Sequence, residues 1–210
     1  MAHQSPNNIP AIRSFFDKCA ARWDTDIISP RHGRRLERIL RRLSIAAGAR
    51  VLDVGCGTGI LFPMLAQQVG ETGCVVSVDL SHAMMLKTRT RIAEVKCPPY
   101  SFLVEADVTL PPFRSGMFDW VLCNSCFPHF EDQQAACEAM AGLLRPGGRL
   151  VICHSESRAA INTLHRNLGG VVGGHELPEN EVFQTLMRRS GLVLESLEDA
   201  EDAFLLIARS

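Results

Sequence analysis

The sequence has no surplus of either charge. Its 22 Lys and Arg stand against 23 Asp and Glu, so there is neither a basic field for nucleic acid nor an acidic tail. No apolar run approaches the roughly 20 residues of a membrane span. The N-terminal stretch MAHQSPNNIPAIRSFF lacks the charged-then-apolar pattern of a secretory signal. The protein is therefore expected in the cytoplasm, away from membranes and nucleic acid, with its eight cysteines mostly free thiols. There is no internal repeat, no low-complexity tract and no linker. What is present, 46% hydrophobic and 21% charged residues over 210 positions, suits one globular unit with a sizeable core.

Residues 11–23 and 31–43 read as helices. In the second, Leu36, Ile39, Leu40 and Leu43 share a face, and its basic run RHGRRLERILRR reads as a solvated surface. Beyond residue 50, strand and helix patterns alternate. Strands are expected at RVLDVG, CVVSVDL, YSFLVEAD, FDWVLCNS and RLVICHS. Helices are expected at 58–69, at 81–95 with Ser81 as N-cap, at 131–148 ending on Pro146 and Gly147, and at about 157–168 and 179–190. LVLESLED and AEDAFLLIARS come next with no helix between them. The first five strands are nearly continuous apolar runs, the mark of a parallel sheet covered on both faces. The expected fold is therefore α/β, a doubly wound, mainly parallel seven-stranded sheet closed by a C-terminal antiparallel hairpin. Residues 1–45 are expected to form a helical cap on the domain made by 46–210.

The sharpest signal is VLDVGCGTGIL. Here Gly55, Gly57 and Gly59 turn a buried strand into a helix, where backbone can approach a ligand closely and helix N–H groups are unpaired. Asp79 ends the next strand, placed to accept both hydroxyls of a ribose. The spacing G-x-G-x-G departs from the dinucleotide fingerprint G-x-G-x-x-G. Together with Asp53 inside the strand and the terminal hairpin, this argues against a nicotinamide enzyme.

VLDVGCGTG, VDLSHAMM, VEADVTLPP, FDWVLCN and LLRPGGRLVI resemble the successive motifs of class I S-adenosylmethionine-dependent methyltransferases. The resemblance implies S-adenosylmethionine as cofactor. Gly55, Gly57 and Gly59 would line its methionine and ribose part. Asp53 would hold the glycine loop or meet the amino group through water. Asp79 would take the ribose hydroxyls, and Leu80 would pack on the adenine. Asp107 would accept from the adenine amino group unless it is only a turn residue, with the Ala106 N–H donated to the ring. Asn124 would sit near the methionine moiety, and Met84 reads equally as core. The chain also resembles quinone-biosynthesis C-methyltransferases in its glycine loop and DLSHAMM. It departs from them after the fifth strand, where CHSESRAAINTLHR stands, and no quinone substrate is assigned.

Methyl transfer from a sulfonium asks the protein mainly for alignment and exclusion of water, with a base where the acceptor must lose a proton. The acceptor is expected to be a small molecule. No Asn-Pro-Pro-aromatic motif follows the fourth strand. His129 follows the fourth strand, His154 ends the fifth, and His165 shares a helix face with Ile161, Leu164 and Leu168. These three are the catalytic candidates. His175 lies in a glycine-rich segment that could fold over the site. Asn162 and Arg158 could orient substrate, and Glu156 is a second candidate base. Phe15, Phe16 and Trp23 of the leading helix would line the cavity. Two alternatives stay open. In one, the histidines form a metal site acting on a metal-bound or chelating substrate, although the Cys123, Cys126, His129 spacing has no second CxxC to complete a zinc site. In the other, the protein binds S-adenosylmethionine without catalysis. A monomer and a homodimer are both compatible with the sequence.

Overall fold

The computed structural model describes residues 8–95 and 100–210. Residues 1–7, which begin the stretch read for a leader, and Cys97 lie outside them. The seven cysteines among the described residues are all free. No helix in these residues is long and apolar enough to cross a membrane.

Seven strands form one sheet: β1 (Arg50–Val54), β2 (Cys74–Asp79), β3 (Tyr100–Glu105), β4 (Phe118–Asn124), β5 (Leu144–His154), β6 (Val193–Ala200) and β7 (Ala203–Arg209). Their order is β3-β2-β1-β4-β5-β7-β6. The first five are parallel and β7 is antiparallel to both neighbours. This is the expected doubly wound sheet with its terminal hairpin.

Side-chain alternation gives each face its own core. Leu52, Val54, Val76, Val78, Val121 and Ile152 face one side. There they meet α6 (Gln133–Leu143) and α8 (Asn180–Arg189) through Met140, Phe183 and Met187. Val51, Val75, Leu122 and Val151 face the other side, against α3 (Pro30–Leu43) and α4 (Phe62–Val69). Leu36, Ile39, Leu40 and Leu43 are the buried stripe of α3. Arg35 departs from the solvated surface expected of its basic run. It is buried, donates to the Ser155 carbonyl at 2.8 Å and pairs with Glu156.

Several boundaries move. The leading helix divides into α1 (Ile9–Cys19) and a single turn, α2 (Trp23–Asp26). α4 starts four residues later than expected, because Pro63 sits in its first turn, where a missing N–H costs nothing. α6 ends at Leu143 rather than at Pro146 and Gly147. β5 begins at Leu144, and its register against β4 shifts between Phe118 and Trp120. No helix joins β3 to β4, a segment that contains Pro111, Pro112 and Gly116.

α7 (Arg158–Leu168) buries a polar face: Arg158, Asn162 and His165. Asn162 donates to the Leu177 carbonyl at 3.1 Å and accepts the Leu177 N–H at 2.8 Å. Arg158 donates to Glu179 at 2.6 Å, bonds Asn180 and lies 5.5 Å from the centre of the Phe204 ring. Both residues hold the helix down, and neither is among the residues that line the large cavity at this end of the sheet. An Asn162→Ala replacement strands two buried backbone groups. It should cost about 2–4 kcal/mol, read as a lower urea midpoint with an unchanged slope.

Candidate functional site

A cavity of about 830 Å³ opens along the carboxyl ends of β1, β2, β4 and β5. This is where ligands collect in such sheets. The loop after β1 forms one end. Gly55 has φ +63°, and a Cβ there would lie 2.3 Å from the Cys126 sulfur, so glycine lets the loops after β1 and β4 touch. Gly57, at φ +57°, has open space where its Cβ would be. Gly59 does not line the cavity. Its missing side chain makes room for Thr88 of α5 (His82–Glu94), 2.9 Å from the position a Cβ would take.

Asp79 joins this loop to β2. One carboxylate oxygen accepts the Gly57 N–H and the other the Ser81 N–H, each at 2.8 Å. With Leu80 as a third backbone donor, the carboxylate's four acceptor sites are still not all taken. Burial pushes the Asp79 pKa up, and the backbone donors pull against it. Leu80, Asp107 and Asn124 also line the cavity. One Asp107 oxygen is taken by the Thr109 N–H and hydroxyl, each at 2.8 Å. Ala106 lines the cavity, but its N–H donates to the Asp79 carbonyl at 3.1 Å. The donor that the sequence reading offered to an adenine ring is thus engaged at the β2–β3 edge. Asp53 lies beneath the loop, 1% exposed, with Oδ2 unpartnered. Burial, and then the Asp79 charge, raise its pKa to about 7. Asp53 is not a lining residue.

The N-terminal helices roof this end. Asp24 accepts the Thr58 hydroxyl at 2.6 Å, and Asp17 accepts from the Ser81 hydroxyl at 2.6 Å and the Ala83 N–H at 3.1 Å. Phe15, Phe16 and Trp23 line the cavity beside them.

The far end is built of imidazoles. Five of the six histidines among the described residues gather there: His32, His129, His154, His165 and His175. His129 Nδ1 lies 2.9 Å from His175 Nδ1. The ring of His129 is centred 4.9 Å from that of His165 and 5.0 Å from that of Phe16. His165 Nδ1 bonds the His175 carbonyl. A carbonyl can only accept, so that nitrogen carries the proton. His154 ends β5 at 1% exposure, with both ring nitrogens unpartnered. Burial, then the neighbouring histidines His165 and His32, push its pKa down to about 3. The same two causes, burial and adjacent imidazoles, hold His129 well below its ordinary value. Glu156 lines the cavity but is paired with Arg35.

His32 escaped the sequence reading because it sits in an arginine run on α3. Only the fold brings it to Ser155, whose hydroxyl lies 2.9 Å from His32 Nδ1. Met84, read equally as core, is 1% exposed and also faces the cavity. Cys123 is fully buried in β4. Among the described residues no three or more His, Cys, Asp or Glu side chains are arranged to hold a metal ion.

Residues 52–152 match the family described as "Methyltransferase domain". This matched stretch carries the glycine loop and Asp79, and through it the chain is similar to class I S-adenosylmethionine-dependent methyltransferases. It is 33% identical over 144 residues to the ubiquinone/menaquinone biosynthesis C-methyltransferase UbiE of Pseudomonas fluorescens, covering 67% of this chain and 56% of that protein. It therefore spans little more than half the length of that curated relative. Two solved structures share the fold of this chain. One is the methyltransferase bound to the Trm112 activator in a Haloferax volcanii complex, with TM-score 0.76, 19% identity and 92% and 96% of the two chains covered. The other is the magnesium protoporphyrin IX methyltransferase of Synechocystis with bound SAH, with TM-score 0.72, 18% identity and 97% and 99% covered.

Two buried groups of this site bind protons differently in the folded and unfolded chain. Asp53 contributes stability that is lost as pH rises through about 7. His154 contributes stability that is full above 6.5 and is lost as pH falls toward 3, because below 6.5 the unfolded chain takes up a proton that the folded one refuses. His154→Leu removes this dependence. In urea unfolding, the variant should gain about 1.4 kcal/mol on the natural protein between pH 7.5 and pH 5.5. Parallel curves would show that His154 is not buried neutral.

Proposed function

We propose that this chain transfers the methyl group of S-adenosylmethionine to a small-molecule acceptor, with the cofactor at the glycine-loop end of the cavity and the acceptor at the histidine end. One observation carries this reading: a single cavity joins Gly57, Asp79 and Asp107 to His129, His154 and His165. The glycine-loop end suits the cofactor, since Gly57 leaves open space and the Asp79 oxygens keep acceptor capacity. When bound, S-adenosylmethionine supplies an activated methyl on a cationic sulfur. Asp79 would hold the ribose hydroxyls, Leu80 would cover the adenine, and Asp107 would face its amino edge. Asn124 would lie toward the methionine part. Asp53, not being a cavity residue, would act by supporting the glycine loop.

At the other end the chain's own residues orient the acceptor and keep water away. Phe15, Phe16, Trp23 and Ile161 supply apolar wall. His154, neutral and without a partner, is built to take a hydrogen bond from an acceptor hydroxyl, amine or thiol. Its low pKa makes it a positioning group rather than a strong base. His129 is neutral too. It is placed to take the proton that an acceptor heteroatom sheds once methylation has made it acidic. The quinone chemistry named for the Pseudomonas relative is not carried over. The histidine-bearing stretch after β5 lies beyond the matched domain, which ends at residue 152.

Calorimetry with S-adenosylmethionine, and release of S-adenosylhomocysteine with a panel of phenols, amines and thiols, test this reading. Asp79→Ala removes charge-assisted hydrogen bonds of about 1.5–3 kcal/mol, so cofactor affinity should fall at least tenfold. His129→Ala should leave that affinity within about twofold and lower kcat by roughly a hundredfold or more. Failure of the natural protein to bind S-adenosylmethionine would overturn the proposal. Binding with no product from any acceptor class would favour a non-catalytic binding protein.

A further inference from the structure

His129 lines the cavity, and His175 does not. His175 is nevertheless only half-buried, so the part it shows to water faces the outer surface. The Nδ1 atoms of the two rings lie 2.9 Å apart, at ordinary hydrogen-bond distance. The pair therefore bridges the cavity wall. One imidazole faces the acceptor end, and the other faces bulk solvent.

A hydrogen bond between two Nδ1 atoms has one donor and one acceptor, so the tautomers of the two rings are linked. A ring that takes a proton from the cavity needs its lone pair on Nε2. His129 then carries its own proton on Nδ1 and donates it, while His175 accepts at Nδ1 and is protonated at Nε2. The surroundings favour passage outward. His129 is ringed by His165, His175 and His154, each of which resists a positive charge there. His175 has His165 on one side, but it also feels the carboxylate of Glu131, which favours positive charge. Glu131 itself is held in place by the Asn8 N–H. His165 bonds the His175 carbonyl, which fixes the backbone that carries the second ring.

We propose that His175 is the outlet of a proton relay, taking from His129 the proton that a methylated heteroatom sheds and passing it to water outside the cavity. This rests on the reading of His129 as the group that takes that proton. The step balances. Methylation of a heteroatom forms its bond to carbon, breaks the sulfur–carbon bond and leaves one proton to be lost. That proton goes to His129 Nε2, the Nδ1 proton of His129 goes to His175 Nδ1, and the Nε2 proton of His175 goes to water. Exchange with water after the product leaves restores both rings. His175 thus acts through His129 and has no need to touch the acceptor.

Two measurements on the full chain test the relay. The first is nitrogen NMR with ¹⁵N-labelled histidine, which reads the tautomers with no acceptor present. Near neutral pH, His129 should carry its proton on Nδ1 and His175 on Nε2. The second is release of S-adenosylhomocysteine with the same panel of phenols, amines and thiols. His175→Asn keeps a polar atom near the place of Nδ1 but has no ring to pass a proton through. In dilute buffer its kcat should fall about tenfold or more. Its affinity for S-adenosylmethionine should stay within about twofold, and its thermal midpoint within a few degrees. Free imidazole in the buffer should restore most of the lost kcat and leave the natural protein unchanged, a response that lost packing would not give. His82→Asn, at an exposed histidine that pairs with Glu105, should change nothing. The inference is overturned if His129 carries its proton on Nε2, if His175→Asn keeps kcat within about twofold, or if imidazole restores nothing. Each of these leaves the methyltransferase reading standing. Absence of turnover in the natural protein with every acceptor would instead bring down the catalytic reading, and the relay with it.

Discussion

Parallel pairing of β2, β1, β4 and β5 is the constraint on which the site depends. Strands in a parallel ladder all end on the same side, so the loop leaving each strand must meet the loops leaving its neighbours. Val54 pairs with Val78 and Cys123, and Asn124 with Cys153. That register sets Asp79, the glycine loop, Asn124 and His154 along one edge. The contact between Gly55 and Cys126 shows how closely the loops are drawn together, because a side chain at residue 55 would occupy the place of the cysteine sulfur.

The same edge concentrates polar groups that a core would otherwise exclude. Asp53 and His154 are both 1% exposed, and both are forced toward their uncharged forms from opposite directions. Around them the structure is held by bonds that ask nothing of a ligand. Arg35 clamps the start of the α7 loop through Ser155 and Glu156, and Asp17 and Asp24 pin the roof to α5 and the glycine loop. Stability at this edge therefore comes from residues beside the cavity, while the groups that face into it are left partly unsatisfied. That division is common where a fold gives up local stability for function.

The strand runs were legible because each is short, apolar and bounded by turn residues, and burial on both faces leaves no alternation to misread. The glycine loop and Asp79 were legible because their chemistry is local to one strand–turn–helix unit. The start of β5 was not. LLRPGG carries helix-stop residues, yet Leu144 already pairs with Phe118 across the sheet. The polar burial on α7 was equally hidden. Arg158 and Asn162 look like solvent residues until Glu179, Asn180 and Leu177 arrive from a segment about 20 residues on.

By itself the sequence determined the sheet, the turn that opens toward a ligand and the acid beside it, since all three arise from hydrophobic period and backbone freedom within short stretches. It also marked His129 and His154 as strand-end residues. It placed His175 in a segment able to fold over the site, but the tertiary structure alone decided that His32 joins them, that Arg35 is core rather than surface, and that the Ala106 N–H is already engaged. Each of these depends on partners far along the chain, and a side chain's surroundings across such distances are set by packing rather than by its neighbours in sequence.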